Sequence, residues 1–270
     1  MRELAVYAAS VAIGLCLGVI GAGGSILTIP VLVYLLKTDP LVSTIYSMFI
    51  VGACSFVGTV LSAVKNCIDF KAAVWFGIPS VIGVFAARKL IFPLLPEKFF
   101  CIGSLTVSKD VFIMVVLAGV MLFVSLRMLK NNSAQVRHDK ALHLPTSFFV
   151  LQGVITGIVT GLLGVGGGFL IVPALLLWAR LSIKIAIGTA LLIITINSAM
   201  GFASGYSSIA TDWALLLKFA TGAIVGILAG TRLADKLPAD NLKKILAWFI
   251  IITSVYVLYR QIEACAKSSL

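Results

Sequence analysis

GLCLGVIGAGGSILTIPVLVYLL, residues 14–36, and GIVTGLLGVGGGFLIVPALLLWA, residues 157–179, are the two stretches on which the reading of this chain turns. Laid on each other with a shift of 143 residues, they share Gly14 with Gly157, Gly18 with Gly161, Gly21 with Gly164, Gly23 with Gly166 and Gly24 with Gly167. Leu27, Pro30 and Leu32 then fall on Leu170, Pro173 and Leu175, eight identities in 23 positions. Each stretch is apolar and long, and each is interrupted near its middle by a glycine cluster, Gly21-Ala22-Gly23-Gly24-Ser25 or Gly164-Val165-Gly166-Gly167-Gly168. Glycine costs about 1 kcal/mol per helix position relative to alanine and accepts backbone angles that other residues resist, so both clusters predict a broken helix.

The same shift carries on outward. It sets Ser55 on Ser198, Gly58 on Gly201, Asp69 on Asp212, Gly83 on Gly226, Ala86 on Ala229 and Lys89 on Arg232. A register held over some 75 residues is more than shared hydrophobicity supplies, and it predicts a duplicated unit. The expected organisation is a first transmembrane repeat over 1–130, a polar linker over 131–146 and a second repeat over 147–270. Register is lost after Leu94, where the first half carries a longer connection from Pro96 to Lys109.

Composition fixes the solvent. Of the 270 residues 60% are hydrophobic and 11% charged, and mean hydropathy is +1.13. No water-soluble domain with one core keeps that balance in solution, so the bilayer is the medium. Eight apolar segments recur, at about 4–36, 41–63, 71–92, 111–129, 147–178, 184–206, 213–234 and 241–260. Each is close to or above the roughly 20 residues a helix needs to cross hydrocarbon. The predicted class is therefore an all-α polytopic membrane protein: two four-segment repeats whose first helices are broken at glycine and open to a re-entrant course. Arg2 ahead of an apolar run resembles a signal peptide, but the run outlasts an h-region and is read as retained. The 21 Lys and Arg against 10 Asp and Glu cluster at segment ends and in the linker, where lipid headgroups meet them, which points to membrane orientation and away from nucleic acid.

Inside hydrocarbon an unwound backbone persists only where protein buries it or water reaches it, so glycine breaks at depth imply a cavity. A helix restarting after the break aims free N–H groups and the positive end of its dipole into that cavity, which suits an anion. The candidate backbone donors are Gly21, Gly23, Gly24 and Ser25 with Gly164, Gly166, Gly167 and Gly168. Close helix packing is the competing role, and Gly14-x-x-x-Gly18 and Gly157-x-x-x-Gly161 are assigned to it. No strand precedes the glycines, which argues against a dinucleotide fingerprint.

The second segment of each half adds polar side chains: Ser43, Ser47, Ser55 and Thr59, then Thr189, Thr195, Asn197 and Ser198. Ser47 and Ser55 are two helical turns apart, as are Thr189 and Asn197, which gives each pair a common face. Ser47, Ser55, Thr189, Asn197 and Ser198 complete the candidate site. Hydroxyls that bond back to their own helix would be merely structural, whereas the Asn197 amide has no such outlet. Every carboxylate lies at or near a segment end or in a connection, and both histidines, His138 and His143, lie in the linker. Proton and cation carriers keep an ionisable partner within the membrane, so its absence here favours an anion. The same absence argues against an intramembrane hydrolase, and no cofactor or metal is expected. Lys89, Arg232 and Lys218 are candidates for snorkelling anchors or for steering anions. Cys16, Cys54, Cys67, Cys101 and Cys265 form no C-x-x-C pair and are read as structural thiols.

The duplicated Gly-x-Gly-Gly-(Gly/Ser) with its following proline, together with Ala186-Ile187-Gly188-Thr189 and Ile196-Asn197-Ser198, resembles the sulfite exporter TauE/SafE family. The resemblance covers essentially the whole chain, with the second half the better match. In the first half Ser25 replaces the last glycine and Cys54 stands where the duplicate has Asn197, so the two halves of a site would be chemically unequal. The resemblance implies a transporter of sulfur-containing anions such as sulfite, sulfoacetate or thiosulfate, and of some organic anions. The resulting expectation is a secondary transporter or facilitator in the cell (inner) membrane, not an enzyme, whose partners are a small anionic substrate and the lipid bilayer. The alternative class is a non-transporting membrane scaffold or thiol-electron carrier subunit. Were all eight segments to span, the halves would be parallel, with Lys and Arg, Lys218 left aside, divided 9 against 11. Were the first and fifth segments to turn back, the halves would be inverted and the division 8 against 12.

Overall fold

The structure is a computed structural model that describes residues 2–21, 28–29, 31–33, 38, 40–87, 89, 98–102, 105–108, 118–119, 122–123, 125–126, 129–130, 146–163, 168–177, 179, 181–205 and 212–268. Its principal helices are α1 (Arg2–Ile20), α2 (Pro40–Val64), α3 (Phe70–Ala86), α4 (Thr146–Leu163), α5 (Gly168–Leu177), α6 (Ile183–Gly205), α7 (Trp213–Lys236) and α8 (Ala239–Ser268). Within the predicted fourth segment the described residues from 118 to 130 are helical. One departure from the all-α expectation lies in the long connection of the first half, where β1 (Lys98–Ile102) and β2 (Leu105–Ser108) pair as an antiparallel hairpin. The connection from Pro96 to Lys109 carries Glu97, Lys98, Ser104, Thr106, Ser108 and Lys109 among its apolar residues, which leaves no apolar run long enough for a spanning helix, and pairing two extended strands satisfies its backbone locally.

Three described helices, over Val42–Val64, Ile183–Ala203 and Trp213–Lys236, are long and apolar enough to cross a membrane. Their outward faces carry Phe56, Val60, Ile196, Met200, Leu217 and Val225, all exposed, as lipid-facing side chains are when no lipid is present. The opening segments are not single helices. In the first half α1 stops at Ile20, and Gly21 takes φ +74° with its N–H bonded to the Leu17 carbonyl at 2.7 Å. In the second half α4 stops at Leu163 and a separate helix, α5, begins at Gly168, with Pro173 inside it. A left-handed φ is accessible to glycine without strain, which is why the chain leaves the helix at this residue.

Close glycine contacts reveal how the helices run. Gly14 lies against the carbonyl of Ala223 and Gly18 against Ile227 and Gly230, so α1 and α7 run the same way, too close for a Cβ at either glycine. Gly157 lies against Ser80 and Gly161 against Val84 and Ala87, so α3 and α4 also run the same way. These are the two Gly-x-x-x-Gly motifs assigned to packing, and each one seats a backbone on a backbone. By contrast α2 and α6 cross antiparallel: Gly205 faces Ile45, Gly201 faces Met48, Gly52 faces Ser198, Gly58 faces Leu191 and Gly188 faces Ser62.

Apart from Gly52 on Ser198, these contacts have counterparts at the offset of 143. Gly14 on Ala223 answers to Gly157 on Ser80, and Gly83 on Gly157 answers to Gly226 on Gly14. Polar joints follow the same rule. Asp69 caps α3 by accepting from Ala72 N at 2.9 Å, and Asp212 caps α7 by accepting from Leu215 N at 3.1 Å. The N–H of Asp69 donates to Thr189 Oγ1 at 3.0 Å, and that of Asp212 donates to the Tyr46 hydroxyl at 2.7 Å; Tyr46 and Thr189 are themselves 143 apart. The first helix of each half thus packs on the third helix of the other, and the two second helices cross between them.

Candidate functional site

The α2–α6 crossing holds the polar candidates. Ser47, Ser55, Thr189, Asn197 and Ser198 are all buried. A Cβ built on Gly52 would stand 3.2 Å from Ser198 Cβ, which places Ser198 at the contact line. One turn away Thr59 Oγ1 and Thr195 Oγ1 are 3.3 Å apart, and each hydroxyl also donates to its own helix, to Ser55 O and Leu191 O at 2.7 Å. Those two threonines are self-satisfied. Ser47 Oγ, Ser55 Oγ, Ser198 Oγ and Asn197 Oδ1 are buried with no hydrogen-bond partner among the described residues. A buried polar atom left unpaired costs about 1–3 kcal/mol, so four of them on two crossing helices call for an explanation.

Thr189 and Asn197 have different duties. The Thr189 hydroxyl accepts from the cap residue of α3, a structural joint shared in kind with Tyr46. Asn197 Nδ2 donates to Ser80 Oγ at 3.0 Å, tying α6 to α3 and leaving its oxygen open. The positions 143 residues away are Cys54 and Ala223, which cannot form that bond, so the two halves of the crossing are chemically unequal.

Gly21 stands apart from this group. It packs against Ile187 in the first turns of α6, about 16 Å along that helix from Ser198 at 1.5 Å per residue. The sequence expectation set both glycine breaks at one level with the hydroxyls; the described part of the first break lies toward one end of the bundle instead. Gly168 opens α5. Gly23, Gly24, Ser25, Gly164, Gly166 and Gly167 lie outside the described residues, as does most of the 131–146 linker.

The two ends of the crossing differ in chemistry. On one side Phe49, Phe202 and Trp213 form an aromatic cluster, with ring centroids 5.2, 5.9 and 6.4 Å apart. On the other side a cleft of about 50 Å³ opens between the last turns of α2 and α7 and the first turns of α6, lined by Gly18, Ser62, Lys65, Lys184, Thr231 and Asp235 among others. Lys65 and Asp235 form an ion pair there. Sequence reading passed over Ser80, Tyr46, Lys65, Lys184 and Asp235; only the offset of Asp69 and Asp212 signalled that their neighbours matter. Of the flagged basic residues, Lys89 sits 5.3 Å from the Phe85 ring centroid, beside its own helix. Among the described residues no Asp, Glu, Lys, Arg or His is buried.

Long apolar helices with apolar outward faces and, among the described residues, a polar interior without buried charge define a helical membrane protein. The chain belongs to the Sulfite exporter TauE/SafE family, whose pattern matches residues 6–257. It is 28% identical over 254 residues to a "Probable membrane transporter protein" of Xylella fastidiosa (strain 9a5c), covering 92% of each chain. It is 25% identical over 275 residues to "Probable membrane transporter protein YunE" of Bacillus subtilis (strain 168), covering 93% of this chain and 97% of that one. Against "Probable membrane transporter protein MJ0441" of Methanocaldococcus jannaschii it is 22% identical over 264 residues, covering 91% and 93%. No solved structure matches the chain.

Proposed function

We propose that this protein is a secondary transporter or facilitator for a small anion, a sulfur oxyanion or sulfonate such as sulfite, in the cell (inner) membrane. The observation that carries this reading is the set of buried hydroxyls without partners, Ser47, Ser55 and Ser198, on two antiparallel helices whose described surroundings hold no buried charge. A hydroxyl donates to an anion and takes the place of its hydration shell, and a neutral site binds without trapping the ion. The Asn197 amide stands beside this group, and the glycine stretches 21–25 and 164–168 supply backbone donors along the path to it.

Two repeats related by a two-fold axis form the moving parts of this reading. An axis that exchanges α2 with α6 while reversing their direction must lie across the helices, hence in the membrane plane, which makes the repeats inverted. That arrangement agrees with the 8 against 12 division of basic residues and with alternating access by one repeat rocking on the other. The test is flux in proteoliposomes: sulfite uptake should depend on the protein and fall in Asn197→Ala and Gly167→Leu. Full flux in both variants removes these positions from the site, and absence of flux for sulfite, thiosulfate, sulfoacetate and carboxylates alike returns the scaffold as the better reading.

A further inference from the structure

The cleft between Lys65, Lys184 and Asp235 has a construction that lipid anchoring does not require. Lys65 is the last residue before a fixed turn: Asn66 adopts φ 52°, its N–H donates to Ala63 O at 3.0 Å, and Cys67 N donates to Ser62 O at 2.9 Å. This is the paired bonding that closes a helix with a left-handed residue, and it anchors the Lys65 backbone at the end of α2. Asp235 is the penultimate residue of α7, and Lys184 is the second residue of α6. Lys65 Nζ pairs with the Asp235 carboxylate while Lys184 Nζ donates to the Asp235 backbone carbonyl at 3.3 Å. Two ammonium groups therefore share one acidic residue, at the negative end of the α7 dipole. The ion pair is half-exposed, with side-chain accessibilities of 39% and 48%, so a solute reaches it.

Depth gives the cleft its direction. From Lys65 to Ser55 is ten residues, about 15 Å along α2, and that stretch of the helix carries Ser62, which lines the cleft, and Thr59, which meets Thr195. The Phe49–Phe202–Trp213 cluster lies at the opposite end of the crossing. Positions offset by 143 from Lys65 and Lys184 are Ser208 and Leu41, so the duplication does not repeat the basic pair at the other end.

We propose that this cleft is the mouth site of the permeation path, where a small oxyanion displaces the Asp235 carboxylate from Lys65 and is held between Lys65 and Lys184. The proposal rests on the transport reading above and adds its entry step. In the unliganded mouth the ion pair ties the end of α2, in the first half, to the end of α7, in the second. Displacement by the anion releases that tie, so the solute itself frees the two halves to move. Lys65 and Lys184 bind the anion, and Asp235 acts as its competitor.

Two measurements on the whole chain in proteoliposomes test this. The first is saturation kinetics with sulfoacetate. Lys184→Gln should raise KM about tenfold, the loss of one charge-assisted contact, with Vmax nearly unchanged. Asp235→Asn should lower KM by removing the competitor, and the exchanged pair Lys65→Asp with Asp235→Lys should not recover the wild-type KM. An unchanged KM in Lys184→Gln together with a raised KM in Asp235→Asn overturns the proposal. The second is labelling of Cys67, which lines the cleft, by a membrane-impermeant maleimide in a chain whose other cysteines are replaced. Sulfoacetate should slow the labelling several-fold, and that protection should vanish in Lys65→Gln. Labelling indifferent to sulfoacetate in a chain that transports it overturns the mouth site alone. Protection without flux of any anion leaves the site standing and removes the transport reading.

Discussion

Asn197 Nδ2 donates to the hydroxyl of Ser80 across 3.0 Å of buried space, joining α6 to α3. Replacing either partner leaves the other stranded, and a buried hydrogen bond of this kind contributes about 1 kcal/mol net. Ser80→Ala should lower thermal stability by about 1–3 kcal/mol and reduce flux modestly, because Asn197 then has two open ends. Asn197→Ala should reduce flux much more for a similar loss of stability. Equal effects of both variants on flux would assign Asn197 to structure alone. Thermal unfolding in detergent and sulfite uptake in liposomes measure the two quantities.

Ser55 and Ser198 invert the usual expectation for a buried polar substitution. Their hydroxyls have no partner among the described residues, so Ser55→Ala and Ser198→Ala forfeit no bond seen there and remove an unpaired group. Stability should be unchanged or raised by about 1 kcal/mol, while sulfite flux falls severalfold. Lowered stability with undiminished flux would show these residues to be structural.

Gly14 and Gly157 seat their helices on the carbonyls of Ala223 and Ser80. Gly14→Ala and Gly157→Ala force the helices apart, at a cost of about 1–3 kcal/mol for overpacking, and should damage folding to the same extent because the contacts are counterparts. Yields of folded protein by size exclusion and melting temperatures would check this. A benign outcome at one site only would break the correspondence of the two halves.

Tyr46 on α2 receives the backbone N–H of Asp212, which caps α7, and Thr189 on α6 receives that of Asp69, which caps α3, so each joint crosses to the third helix of the other half. Tyr46→Phe removes the acceptor for Asp212 N, and Thr189→Val removes that for Asp69 N. Each should cost about 1–3 kcal/mol of stability. Flux per folded molecule should be preserved, since neither hydroxyl is open. A loss of flux in Thr189→Val without loss of stability would return Thr189 to the binding group.

Much of this was legible in residues alone. Hydropathy named the solvent, the offset of 143 relates close glycine contacts such as Gly14 on Ala223 and Gly157 on Ser80, and the first cluster begins where α1 stops, at Gly21 with its left-handed φ. Buried hydroxyls on the second segments were legible too, because polar groups in apolar runs stand out. The 98–108 hairpin was not, since a short connection of mixed polarity has no periodicity to read.

What the one-dimensional pattern could not supply is which surfaces meet. Whether Ser198 faces Gly52, whether Asn197 reaches Ser80, and whether Thr189 is a ligand or a cap acceptor depend on the directions and crossing of α2, α3 and α6, and residue spacing within one helix is silent on its neighbours. Lys65, Lys184 and Asp235 likewise read as ordinary helix-end charges until the ends of three helices bring them together. Membrane residence belongs to composition, because apolar content is carried by the chain itself. The chemistry of the interior belongs to the tertiary packing, because a hydrogen bond is satisfied or left open only by what lies opposite it.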